Sequence, residues 1–159
     1  MMEDGALGIG GSCVIKAPSP YTASTSPMPR IRTFRDLNVY ESARREALHL
    51  FHITKDFPKS EMFALTDQIR RSSRAVGALL AESWARRRYE ADFVNRVSQA
   101  LAEAHETQAW LDAARDCGYL SPQDHSDLDA RWQRIGGMLH RMIQRSDSFC
   151  RSSEGASSR

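Results

Sequence analysis

From Phe93 to Ala114 one set of mainly apolar residues recurs at alternating spacings of four and three: Phe93, Val97, Ala100, Ala104, Thr107, Leu111 and Ala114. Strand side chains alternate with period two, so no strand can present that set on one face. An α-helix presents it as a narrow stripe. The same alternation runs through Met62, Leu65, Ile69, Ser72, Val76, Leu79 and Ser83, and again through Leu128, Trp132, Ile135, Leu139 and Met142. An earlier segment adds Leu37, Tyr40, Ala43, Ala47, Leu50 and Phe51. Each stripe is too narrow to be a buried core alone; together they are the seams of a helix bundle.

The ends of these segments carry matching signals. Thr33 can cap the first helix, with Asp36 where a capping box places its acid. Phe57-Pro58 stops that helix, because a residue before proline is pushed out of the helical region. Ser60 can cap the second, with Glu61 in its first turn. Gly77 inside it costs about 1 kcal/mol against alanine and predicts a close crossing or a slight bend. A basic loop at Arg86-Arg-Arg88 turns the chain into a third helix, Tyr89 to Cys117, whose small seam permits close approach. Gly118 is placed as its C′ glycine. Ser121-Pro122, with Asp124 at N3, opens the fourth helix.

Four helices of about 25 residues, each about 38 Å long, with short connections, predict an all-α, antiparallel up-down-up-down four-helix bundle over residues 34–146. Residues 1–33, rich in Gly, Ser, Thr and Pro, predict a disordered leader, and 147–159 a disordered tail. Met28 stands just before the first patterned residue and is a candidate translation start.

The chain of 159 residues suits one domain. Its net charge of +2 is too small to name a partner, so any such inference must come from where the charges sit. Cys13, Cys117 and Cys150 are odd in number and have no CxxC spacing, which fits a reducing, cytoplasmic setting and opposes a disulfide framework or a zinc site. No apolar run reaches the roughly 18–20 residues a membrane span requires, and no basic segment marks a signal peptide.

Between positions 70 and 88 there are six arginines and one acid, Glu82. Arg70, Arg71 and Arg74 are helix neighbours, and like charges at that spacing repel, so an anion belongs near them. Phosphate is one such anion, since the guanidinium fork suits it. Glu103 and Glu106, brought to the same height by the third helix, are another, as is Asp67. Arg86, Arg87 and Arg88 either oppose the negative end of the second helix or meet nucleic acid beside Trp84 and Tyr89, which could stack on bases. A further stripe, Arg131, Arg134, Arg141 and Arg145, lies on one face of the fourth helix. Asp127 can pair with Arg131, which leaves Arg134 and Arg141 as a positive surface.

Catalytic patterns are weak. Glu46-Ala-Leu-His49 has the Glu-x-x-His spacing of di-iron bundles but lacks the second motif and the further glutamates. His105-Glu106 lacks the second histidine of His-Glu-x-x-His. No metal, cofactor or enzymatic activity is expected.

Several stretches together resemble the family of four-helix-bundle proteins from 23S rRNA intervening sequences, which includes the accessory variability protein of diversity-generating retroelements. The matching pieces are Phe34-Arg-Asp-Leu-Asn-Val-Tyr40 with Ala43, Phe57-Pro58, Leu65-Thr-Asp-Gln-Ile-Arg-Arg71, Ala81-Glu82 and Arg87-Arg-Tyr89. Phe93, Ala100, Glu106-Thr107, Trp110-Leu111 and Gly118-Tyr-Leu120 follow in order. Ala75 and Leu79 depart from the pattern, which often has Ser and Asn before the Ala-Glu pair. The resemblance implies assembly into a homopentameric barrel. For the retroelement member it implies binding of nucleic acid and a reverse transcriptase through basic surface. Val94, Leu101, Trp110, Met138 and Ile143, off the main seams, are expected to be partly wet in a monomer and so support an oligomer.

Two functions follow as expectations. One is a homo-oligomeric accessory module that binds RNA or DNA through Arg70, Arg71, Arg74, Arg86, Arg87, Arg88, Arg134 and Arg141, without catalysis. The other is a protein-interaction scaffold whose arginines bridge subunits or dock an acidic partner.

Overall fold

A computed structural model describes residues 31–150, and these are helical with no strand. Helix α1 spans Asn38–Ile53, α2 Leu65–Arg86, α3 Glu90–Asp116 and α4 Pro122–Gln144, with a short α5 at Ser146–Phe149. α2 lies antiparallel to α3, α3 to α4, and α1 between α2 and α4, so the four long helices close a ring around one core. The expected all-α bundle is the observed architecture.

The third and fourth seams are buried as their spacing requires: all seven predicted residues of α3 and all five of α4. Three of the seven α3 seam residues are alanine, which lets the neighbouring helices approach closely at those turns. Where α3 meets α2 the seam turns polar. There the Thr107 hydroxyl donates to Ser72 Oγ at 2.9 Å, inside the core. Gly118 holds a φ of 76°, the left-handed conformation that ends α3. Ser121 Oγ accepts from the Asp124 amide at 3.1 Å to open α4 on its N1 proline.

The first half departs further from expectation. Thr33 does form a capping box with Asp36, but it caps a 3₁₀ turn, Phe34–Asp36, and α1 begins only at Asn38. α1 ends at Ile53, ahead of Phe57-Pro58, because Thr54 turns its hydroxyl onto the Leu50 carbonyl at 2.8 Å and the chain leaves in turns. At 16 residues it is the short helix of the bundle. Ser60 falls in a second 3₁₀ turn, Lys59–Glu61, and does not cap α2, which starts at Leu65 after Ala64 without a side-chain cap. Met62 is therefore outside the seam and exposed. Next to it Phe63 is 93% exposed. Along α2 burial shifts from Leu79 to Leu80, as a helix of 3.6 residues per turn drifts from a 3.5 repeat.

One more expectation is corrected. Residues 147–150 are not tail: in α5 the Phe149 ring stacks on Phe93 with centroids 5.9 Å apart, and Ser146 Oγ donates to Glu90 at 2.5 Å. Val94, Leu101, Trp110, Met138 and Ile143 pack against the core yet stay only half-buried in a single chain, partly wet as their off-seam positions require. The remainder of the leader, 1–30, the Met28 start and residues 151–159 lie outside the described residues.

Candidate nucleic-acid interface

The structure divides the candidate arginines into neutralised and unneutralised groups. Arg71 is neutralised. Its guanidinium contacts Glu106 and lies 3.4 Å from Glu103, crossing from α2 to α3. The pair shows in both partners' proton affinities. Glu106 is held below its ordinary carboxylate value by the Trp110 indole N–H, then by Arg71; Arg71 is pushed up, chiefly by its bond to Glu106. Of the partners open to Arg71, carboxylates within the chain are what it meets, while Asp67 makes no pair with it.

Arg86 faces Asp92 at 3.8 Å, a loose and half-exposed pair. Arg87 donates to the Trp84 carbonyl at 2.6 Å and covers the Trp84 ring at 4.1 Å. It thereby neutralises the C-terminal carbonyls of α2, and that indole face is not free for a base. Arg88 is exposed beside Tyr89, itself exposed at the same turn. The triple-arginine loop thus offers one uncommitted cation.

On α4, Arg131 turns inward across the bundle to Glu46 of α1 at 3.4 Å, not to Asp127, which instead accepts from Gln123. Glu46 is 4% exposed and also meets Arg45 at 3.3 Å and His49 at 3.7 Å. The Glu-x-x-His spacing therefore builds an ion-pair cluster between α1 and α4. Among the described residues no group of three His, Cys, Asp or Glu is placed to hold a metal. Arg134 and Arg141 stay exposed and line, with Arg45, an α1/α4 groove of about 420 Å³.

The remaining pair lies on the other flank of α1. Arg70 Nε donates to the Thr54 hydroxyl at 2.8 Å, and its guanidinium sits 4.8 Å over the Phe51 ring. Arg74 sits over the same ring at 5.5 Å and Lys55 at 4.8 Å. Sequence reasoning does not single out Lys55, Arg44 or Arg45, and it assigns Phe51 to the core alone. The signals that could have found them are the i+4 spacing of Phe51 and Lys55 and the adjacent pair Arg44-Arg45. Among the described residues no carboxylate lies within 4.0 Å of Arg44, Arg70, Arg74, Arg88, Arg134 or Arg141. Charges that repel and lack carboxylate partners form a surface that attracts anions.

The fold and this surface define a four-helix bundle with cationic flanks on both sides of its first helix. The chain belongs to the 23S rRNA-intervening sequence protein family, whose sequence profile matches residues 35–141. It is also similar to a solved structure of a protein of unknown function from the S23 ribosomal protein family of Bacteroides thetaiotaomicron. That similarity has a TM-score of 0.60 and 24% identity, covering 67% of this chain and 95% of the other, and it carries the fold alone. No curated protein matches the sequence. No helix among the described residues is long and apolar enough to cross a membrane.

Proposed function

We propose that this protein is a homo-oligomeric, nucleic-acid-binding accessory module that grips phosphate through arginines and has no catalysis of its own. The observation that carries this reading is the set of arginines without carboxylate partners, Arg70, Arg74, Arg88, Arg134 and Arg141, beside Arg71 and Arg131, which have them. The family's name, which places its members in 23S rRNA intervening sequences, supports RNA as one ligand. Following the resemblance, five copies form a barrel in the cytoplasm. By kinship with the retroelement accessory protein, a reverse transcriptase is a partner to seek. The second reading, a protein scaffold, is favoured by a different observation: Phe63 and Leu48 are 93% and 53% exposed, apolar surface that a protein partner would cover.

Binding to RNA and DNA across a salt series separates the two. Affinity should fall with salt, with a log–log slope of about 0.9 per phosphate neutralised on duplex DNA. Arg88→Glu, Arg134→Glu and Arg141→Glu combined should lower that slope by about one for each phosphate no longer held. No binding at low salt would refute the module and favour the scaffold; retention and slope unchanged by the triple variant would remove Arg88, Arg134 and Arg141 from the phosphate surface.

A further inference from the structure

We propose that the open cleft between α1 and α2 is a binding site for single-stranded nucleic acid, with bases on its apolar floor and phosphates on Arg44, Arg70 and Arg74. This rests on the nucleic-acid reading above and sharpens it, from a surface that follows phosphates to a site that selects unpaired strands.

The cleft has a volume of about 490 Å³, inside the range of ligand sites. Its lining contains three aromatic rings, Phe34, Tyr40 and Phe51, and two arginines, Arg44 and Arg74, with no carboxylate among them. The floor is low because small residues meet there. Gly77 lies under Tyr40, where an added Cβ would meet the ring at 3.6 Å, an ordinary contact. Both ends are aromatic and cationic. At one, Tyr40 stands edge-on to Phe34 at 4.9 Å and Arg35 lies 4.5 Å over Phe34. At the other, Arg70, Arg74 and Lys55 converge on Phe51. Tyr40 and Phe51 are about 16 Å apart along α1 at 1.5 Å per residue, the span of a short run of nucleotides rather than one small ligand.

Aromatic platforms interleaved with cations suit single strands, because every unpaired base offers a π face and every linkage a negative charge. A duplex hides its base faces in the stack and could give this cleft only phosphate. The chemical rival is an acidic amphipathic helix, which would also match the charges. The strand is favoured because Arg74, which makes no side-chain hydrogen bond or ion pair among the described residues, can turn from the Phe51 ring to a phosphate and leave that ring to a base, whereas an aliphatic helix face gains from neither.

The test uses the full chain and labelled oligomers of about twelve nucleotides, one unpaired and one duplex, read by fluorescence anisotropy at low salt. Phe51→Leu keeps apolar bulk and removes the ring. Ala78→Glu places a carboxylate in the cleft at an exposed position, so one variant stands if the other fails to fold. Phe51→Leu should weaken single-strand binding about tenfold, as loss of one stacked base does, and leave duplex binding within about twofold; Ala78→Glu should weaken the single strand clearly more than the duplex, which can give the cleft only phosphate. Equal losses for both oligomers, or none for either, would overturn the cleft site while the phosphate surface stood. No binding of either oligomer by the parent protein would overturn the broader reading as well. Two further outcomes would reassign the cleft. A fall in oligomer mass in Ala78→Glu by light scattering would make it a subunit contact. Binding of an acidic helical peptide that these variants abolish, with single-strand binding unchanged, would make it a protein-docking groove.

Discussion

Arg131→Met isolates the ion pair that ties α1 to α4. The Glu46 side chain is 6% exposed and lies 3.4 Å from Arg131, whose own side chain is 39% exposed. Removing one partner of a fully buried pair costs about 3–5 kcal/mol, because the other charge is left without compensation. Here Arg45 remains at 3.3 Å and Arg131 is partly hydrated, which brings the expected cost to about 2 kcal/mol. Glu46→Leu leaves Arg131 and Arg45 without their carboxylate, and both can turn to water, so it should cost about 1 kcal/mol or less. The double variant removes both charges and leaves apolar side chains of similar size. It should therefore be more stable than Arg131→Met alone, with a coupling of about 1–2 kcal/mol. Urea unfolding at pH 7 and fixed protein concentration reads all four corners, with equal m-values as the condition for comparing them. An Arg131→Met cost under about 0.5 kcal/mol, or a double variant less stable than that single one, would refute the inward ion pair as the link between these helices.

Three further outcomes follow from local geometry. Gly118→Ala should destabilise by about 1 kcal/mol in thermal or chemical unfolding: nothing lies within 4 Å of an added Cβ, so the cost is that of a φ of 76° alone. Phe149→Ala should lower stability by about 1–2 kcal/mol, through loss of a half-buried ring against Phe93; no effect would return residues 147–150 to the tail. Glu106→Gln tests the bridge to Arg71 by pH. The folded carboxylate titrates below its ordinary value of 4.5, so its contribution is present above that value and lost as pH falls through the folded one. The stability gap between parent and variant, under about 1 kcal/mol at neutral pH because Glu106 is 36% exposed, should close below about pH 4.5.

The sequence was most legible where one face of a long helix decided the outcome. Every seam residue assigned to α3 and α4 is buried, and the Ser121 cap and Gly118 stand where their chemistry requires. It was least legible from Thr33 to Ala64. Thr33 and Ser60 carry equally good capping signals, yet Thr33 caps only a 3₁₀ turn and Ser60 lies inside another, since a cap satisfies only a local amide and does not determine how many turns follow. The arginines were legible as a class and not one by one. Arg71 and Arg74 differ in sequence by three positions; only the approach of α3 decides that one finds carboxylates and the other an aromatic ring. Arg131 shows the same limit, having passed over Asp127 on its own helix for a glutamate 85 positions earlier.

The uneven closure of the bundle explains where its candidate sites lie. α3 packs more extensively against α2 and α4 than α1 does, and the charges of α2 that face α3 are taken up there, as Arg71 is by Glu103 and Glu106. α1 is shorter and touches α4 more sparsely than α3 does. Both flanks of α1 therefore stay open. One is the aromatic cleft facing α2; the other is the groove facing α4, with Arg134 and Arg141 at its rim. A helix that completes the core with its Ala43, Ala47 and Leu50 stripe can still present Arg44, Arg45 and Leu48 outward, because those positions lie off that stripe. Stability and binding thus draw on different faces of the same helix. Substitutions at Arg44 or Leu48 should accordingly change partner affinity before they change folding, and substitutions at Ala43 or Leu50 the reverse.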